Sequence, residues 1–163
     1  MDFKTTYLYE AESQIIERLE AKATELSYDV QADRYAGEMN DEGTMKELIA
    51  KAQRKPIILV SFTGKRNIDP QPDAMSFKEE VSFEILACTY SARSESEVMR
   101  MGFSMLDLVE KALHGWSGLT FTDEQVNQYG ATIATSAKSI LNFPNFHAFR
   151  MPVTCQVYRE IPC

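Results

Sequence analysis

Two long stretches of the chain place apolar residues at three- and four-residue steps, which is the spacing of an amphipathic helix. The first covers residues 8–26 and the second covers residues 95–114, after which Gly115 is a stop signal. A shorter stretch of the same character precedes Pro56, and the hydroxyl of Thr44 is its candidate N-terminal cap. The pattern therefore predicts two main helices and one short helix.

Other stretches follow the patterns of β-strands. Residues 57–62 are apolar and largely β-branched, which predicts a buried central strand that ends at Gly64. Residues 77–90 and 149–157 alternate apolar and polar positions, as half-buried strands do. Pro152 cannot donate to a ladder, so it predicts an edge position or a bulge. Weaker β-prone pieces lie at residues 28–31, 119–122, 126–133 and 139–141.

The connection between the first two main strands has no helical pattern, so those strands are predicted to pair antiparallel. Residues 65–74 between them are rich in Pro, Asn and Asp, a composition typical of a loop. Together these elements predict an α+β fold, with a mainly antiparallel sheet and the two main helices packed on one face. The length of 163 residues fits a single domain over residues 1–163.

Charge and hydropathy narrow the classes of partner. The chain has 17 Lys and Arg against 24 Asp and Glu, a net charge of −7, with no basic patch for phosphates. We therefore expect no specific nucleic-acid partner and no membrane partner. The longest clearly apolar run, residues 56–60, is far shorter than the ~20 residues that span a bilayer. Because the N-terminus lacks the pattern of a secretory signal, the chain is expected to stay in the cytoplasm where it is made.

Cysteine and histidine, the residues that most often bind metals or carry nucleophilic chemistry, are few and scattered. The three cysteines, Cys88, Cys155 and Cys163, have no short paired spacing, which argues against a disulfide framework or a zinc site. Cys88 and Cys155 lie in apolar strands and are predicted to be core residues. Neither His114 nor His147 has a second ligand at helical spacing.

The remaining candidates for catalytic chemistry are similarly weak. The seven glycines are too dispersed to form a phosphate-binding loop. Glu79, Glu80 and Glu84 could serve as acid and base, but strand alternation directs Glu80 and Glu84 towards solvent. The sequence therefore predicts no catalytic, cofactor-binding or metal-binding residues, and a protein that is not an enzyme.

Three segments resemble a family of small tail-completion proteins of Mu-like phages and prophages. They are residues 9–19 (YEAESQIIERL), 56–62 (PIILVSF) and 108–116 (LVEKALHGW). The order and spacing of the segments match over about residues 9–158, and the turn of His114, Gly115 and Trp116 is their distinctive motif.

The resemblance implies a structural phage tail protein, a tail terminator or completion subunit. Such subunits are α+β domains that form a homo-hexameric ring at the head-proximal end of the tail tube and join the tail to the head connector. The implied partners are copies of the chain itself, the tail tube protein and head–tail connector or neck proteins, with the sheath as a further candidate. The implied location is the virion tail or neck, after assembly from the host cytoplasm. Two rival readings are a small cytoplasmic enzyme that uses Cys or His, and a monomeric adaptor.

A ring requires a heterologous interface, in which two different surfaces of each subunit meet. One predicted surface is the loop of residues 65–75, which carries both charge signs, and the other is the turn-prone segment of residues 140–147. Trp116 is predicted either to anchor the end of the second main helix in the core or to form an exposed assembly contact. The predicted assembly residues are Lys65, Arg66, Asp69, Asp73, Phe143 and Phe146.

Overall fold

The computed structural model describes residues 6–68 and 76–160, apart from the side chain of Phe77. Its helices are α1 (Tyr7–Glu25), α2 (Glu42–Arg54) and α3 (Glu95–Leu113). Its strands are β1 (Gln31–Arg34), β2 (Ile57–Asn67), β3 (Ser76–Tyr90), β4 (Val126–Ala134), β5 (Lys138–Phe143) and β6 (Phe146–Glu160).

All these strands belong to one sheet, whose order is β1-β2-β3-β6-β4 with β5 also paired to β6. β1 pairs with β2 in parallel, and the pairs β2–β3, β3–β6, β4–β6 and β5–β6 are antiparallel. The predicted α+β fold with a mainly antiparallel sheet is confirmed, although β1 makes the sheet mixed.

The two main helices, α1 and α3, share one face of the sheet, as predicted. Ile15 and Leu19 of α1 and Leu108 of α3 are buried against one apolar cluster contributed by β2, β3 and β6. The helix spacing brings each buried residue to the same side, because successive positions three or four apart stack on one stripe. Ser94 caps the start of α3, where its hydroxyl accepts the backbone N–H of Glu97 at 3.1 Å.

The short helix α2 covers part of the opposite face. Leu48 and Ala52 of α2 pack there on a second cluster that includes Leu59 and Cys88. Its N-terminal cap is Asp41, whose Oδ1 accepts the backbone N–H of Thr44 at 2.9 Å. The prediction of Thr44 as the cap is wrong, since the carboxylate one turn earlier takes that role.

β2 is longer than the sequence pattern predicts. β2 does not end at Gly64 but continues to Asn67 through a bulge between Phe62 and Gly64. Lys65 and Arg66 therefore lie in a strand rather than in a loop. The bulge inserts one extra residue, so the side chains that follow it change faces. Val60 points towards α1 and α3 before the bulge, and Lys65 does so after it.

β6 pairs with β3 along one side. On its other side, the neighbouring strand changes from β5 to β4 at Pro152. β4 pairs with β6 from Val153 onwards, and β5 pairs with residues up to Arg150. The missing N–H of Pro152 falls in this interruption, although β6 is otherwise a central strand. The carbonyl of Pro152 accepts the backbone N–H of Thr135 at 3.0 Å.

The β-prone piece at residues 119–122 is not a strand. Two of its backbone N–H groups are bonded to side chains of α1, and that of Leu119 donates to Gln128 Oε1 of β4 at 3.0 Å. Thr120 N donates to Gln14 Oε1 at 2.9 Å, and Thr122 N donates to Glu10 Oε2 at 3.1 Å. This segment therefore fixes α1 against the β4 end of the sheet.

Candidate functional site

A buried carboxylate joins four elements at one end of the sheet. Glu79 of β3 is only 2% exposed. Its carboxylate accepts the Tyr7 hydroxyl, the Lys65 ammonium at 3.2 Å and the Arg159 guanidinium at 3.0 Å. Lys65 Nζ also donates to the Tyr7 hydroxyl at 3.0 Å. We call these four residues the Glu79 cluster, and they tie α1, β2, β3 and β6 together.

The ionisation of the Glu79 cluster follows from burial and hydrogen bonding. Burial opposes ionisation of Glu79, but the donors Tyr7, Arg159 and Lys65 outweigh it and hold its pKa below the usual value. Burial, together with the bond to Glu79, raises the pKa of Tyr7. Burial acts to lower the pKa of Lys65, but its hydrogen bonds to Tyr7 and Glu79 outweigh burial and raise it. The cluster is therefore a neutral phenol and a carboxylate held by two cations.

An open cavity lies beside the Glu79 cluster, between the start of α1 and the segment before β4. Its volume is about 710 Å³. Both Tyr7 and Arg159 have one side in the cluster and one side on this cavity. The lining residues are Thr6, Tyr7, Glu10, Thr122, Asp123 and Arg159.

Arg66 lies on the opposite face of the sheet from the Glu79 cluster. Its guanidinium Nε is 3.0 Å from Glu80 Oε1, and about three quarters of the Arg66 side chain is exposed. Lys65 is held inside the cluster, so the bulged end of β2 presents Arg66 outwards from an anchored backbone. The structure thus separates two predicted assembly residues, Lys65 and Arg66, onto different faces.

β4 forms the lateral side of the sheet that lies opposite to β1 and β2, and it carries exposed apolar and aromatic side chains. Tyr129 is 51% exposed and Ile133 is 49% exposed. They flank a pocket of about 210 Å³ at the bulge of β4, whose floor includes Thr154 and Gln156 of β6. Lys78 Nζ lies 4.2 Å from the centroid of the Tyr129 ring.

The turn of His114, Gly115 and Trp116 pairs with β4 at this side. Gly115 N donates to Thr132 O at 2.8 Å, and Thr132 N donates to Trp116 O at 2.7 Å. Ala134 N donates to His114 Nδ1 at 3.3 Å. Trp116 is half-buried against the main core, with the Arg18 guanidinium 5.8 Å from its ring centroid. The turn therefore covers part of the outer edge of β4.

The remaining predicted assembly residues fall in three different situations. Phe143 is 45% exposed at the end of β5 and is available to a neighbour. Phe146 is only 1% exposed, because it packs in the cluster under α2, so its assignment to the assembly surface is corrected. Asp69 and Asp73 lie outside the described residues.

Two cysteines, Cys88 and Cys155, and one histidine, His147, are buried, which leaves little chemistry open to them. Cys88 and Cys155 are buried, and burial raises the pKa of each thiol to about 12. His147 is buried beside Phe149, with ring centroids 6.0 Å apart. Cys88 pairs with Ala148 of β6, which is next to His147 in the chain. Because successive residues of a strand point to opposite faces, the His147 side chain lies on the other face of the sheet from Cys88.

Sequence reasoning considered Glu79 only as a weak acid–base candidate, not as the centre of a buried ionic cluster, and it missed Tyr129. A signal for Glu79 was present, since the inward series Val81, Phe83 and Ile85 of β3 extends two residues back to Glu79. A charge at an inward position predicts paired cations, which Lys65 and Arg159 provide here. Tyr129 lies just before the bulge of β4, for which the sequence offers Gly130, with its positive φ, as a signal.

Comparison with protein-family models and with curated protein sequences gives no match to this chain. None of the helices α1, α2 and α3, in the part of the chain that the structure describes, combines the length and apolarity needed to cross a bilayer.

Proposed function

We propose that this chain is a structural phage tail protein, a terminator or completion subunit without enzymatic activity. Six copies form a ring at the head-proximal end of the tail tube and join it to the head connector. Its partners are other copies of the chain, the tail tube protein and the neck proteins, and its location is the virion. The resemblance of its sequence segments supports this function, together with one feature of the fold.

That feature is the difference between the two lateral sides of the sheet. On one side, β1 pairs with β2 only up to Val60, so among the described strands the rest of β2 pairs with β3. This part of β2 exposes Arg66 and part of Phe62. On the other side, β4 exposes Tyr129 and Ile133. A ring needs two unlike surfaces that meet head to tail, whereas a two-fold dimer needs one surface that matches itself. The difference between the two sides of this sheet supports the head-to-tail arrangement.

The alternative function, an enzyme that uses Cys or His, is opposed by the protonation of the two buried thiols. Cys88 and Cys155 have thiol pKa values of about 12, so almost no thiolate exists at neutral pH. The other alternative, a monomeric adaptor, predicts a particle with the mass of one chain, whereas a ring predicts a particle with the mass of six chains. Mass measurement in solution and on assembled tails separates these two functions.

The test of the proposed function is an image of the assembled tail. We expect this chain at the end of the tube in six copies, and its absence there, or a different copy number, would contradict the proposal. Arg66→Glu combined with Phe143→Ser should block tail completion while the fold is kept, since both side chains are exposed. Phe146→Ser is the matched control, because it should unfold the chain instead.

A further inference from the structure

A small cavity lies on the face of the sheet that carries α1 and α3. It is bounded by α3, by the segment that follows α1 and by the residue that precedes β2, and we call it the α3 pocket. Its volume is about 270 Å³, just below the range of about 300–1,000 Å³ that is typical of sites for drug-sized ligands. The α3 pocket is therefore suited to a small ligand.

The lining of the α3 pocket is mostly apolar. Val30 and Pro56 line it from the side of the sheet, and Met101 and Met105 line it from α3. Met105 is only 3% exposed, so the pocket reaches down to the main core. Methionine side chains adapt to the shape of what they contact. An apolar group of a ligand would therefore be removed from water here, which favours binding.

Hydrogen bonds hold the backbone on both sides of the α3 pocket. Tyr28 N donates to Ala23 O at 2.8 Å, which fixes the segment that follows α1 to the last turn of that helix. Gln31 N donates to Pro56 O at 3.0 Å, which ties the next residues to the start of β2. The pocket is therefore formed before a ligand enters, and little conformational freedom is lost on binding.

The charges around the α3 pocket leave one cation without a partner. Asp29 lines the pocket, but its Oδ1 is 3.3 Å from Lys55 Nζ, so these two charges offset each other. Arg100 also lines the pocket and is exposed. Within the part of the chain that the structure describes, Arg100 forms no ion pair, either with Glu97 one turn earlier on α3 or with another carboxylate. The pocket therefore combines apolar walls with one positive charge.

We propose that the α3 pocket binds a small apolar carboxylate. The carboxylate pairs with the guanidinium of Arg100, which can donate two parallel hydrogen bonds to it, and the apolar tail packs on Met101 and Met105. The Ser104 hydroxyl donates to Arg100 O at 3.0 Å, so it adds little to anion binding. A single positive charge among apolar walls suits one carboxylate better than a phosphate, which needs several donors. This binding is a property of the single subunit and does not depend on the ring proposed above.

Titration with octanoate tests this site, and the methionine methyl groups report where the ligand binds. In a chain labelled with ¹³C at these methyl groups, octanoate should shift the NMR signals of Met101 and Met105. The signals of Met39 and Met45, which pack on the opposite face of the sheet, should stay in place. Unchanged Met101 and Met105 signals at millimolar octanoate would overturn the proposal.

Arg100→Gln measures the contribution of the charge. It should weaken octanoate binding about threefold to fivefold, as expected for an exposed ion pair, and leave the binding of octanol unchanged. Arg93→Gln is the matched control, because Arg93 is exposed before α3 and does not line the pocket, and it should bind octanoate as the wild type does. If Arg100→Gln leaves octanoate binding unchanged, or weakens octanol binding equally, Arg100 does not recognise a carboxylate and the proposal is wrong.

Met101→Glu measures the contribution of the pocket itself. It places a carboxylate where the apolar tail should lie, so octanoate binding should weaken at least tenfold. Met101 is only half-buried, so the fold should be kept, which circular dichroism checks. Unchanged octanoate binding by folded Met101→Glu would place the ligand elsewhere and contradict the proposal. Since Arg100 is exposed, Arg100→Gln provides the decisive measurement where Met101→Glu does not fold.

Discussion

Removing the charge of Glu79 should destabilise the fold strongly. In Glu79→Gln, the amide keeps one acceptor but leaves Lys65 and Arg159 without their shared carboxylate. Loss of one partner from a fully buried ion pair costs about 3–5 kcal/mol. Lys65 and Arg159 are partly exposed and regain some hydration, so we expect a loss of about 2–4 kcal/mol in the free energy of unfolding.

The loss should depend on pH with a definite sign. The pKa of Glu79 is lower in the folded chain than its ordinary value of 4.5. Its contribution to stability is therefore fully present above pH 4.5 and disappears as the pH falls through the lowered pKa. The difference between the wild-type chain and Glu79→Gln should be constant near neutral pH and should shrink in acid.

Urea unfolding followed by circular dichroism at a series of pH values measures both effects. The midpoint should fall while the slope with urea concentration stays unchanged. Glu80→Gln is the control, because Glu80 pairs with the mostly exposed Arg66 and should lose less than about 1 kcal/mol. Equal losses in the two variants, or a Glu79→Gln loss that does not shrink in acid, would refute the argument from burial.

Three further predictions concern packing, backbone and thiols. Leu108→Ala should lower the free energy of unfolding by about 2–5 kcal/mol in urea titrations, since the Leu108 side chain of α3 is fully buried in the core. A loss well below about 1 kcal/mol would place Leu108 outside the core. Gly115→Ala should cost about 1–2 kcal/mol in the same assay, because Gly115 has a φ of +79°, and an unchanged midpoint would contradict the strain. Cys88 and Cys155 should stay unlabelled by maleimide at neutral pH until the chain is unfolded, and rapid labelling of the native chain would disprove their burial.

The parts of the fold that were predictable from the sequence are those governed by local periodicity. The stripes of α1 and α3 and the alternation of β3 depend on neighbouring residues, and these elements match their predictions. The common face of α1 and α3 also followed from their apolar stripes.

The features that were not predictable depend on contacts between distant residues. Lys65 and Arg66 look like loop residues in sequence, but they continue strand β2 beside β3, where they form ion pairs with Glu79 and Glu80. Phe146 follows a turn, and it is buried because α2, far earlier in the chain, covers it.

The central position of β6 has a consequence for the synthesis of this protein on the ribosome. β3 leaves the ribosome long before β6, and α3, β4 and β5 must be made in between. Until β6 emerges, the edge of β3 that it will cover has no permanent neighbour in the sheet, and β4 and β5 have no strand to join. An open edge of this kind favours contact with other nascent chains. The sheet therefore closes only after β6 has left the ribosome, so we expect slow folding.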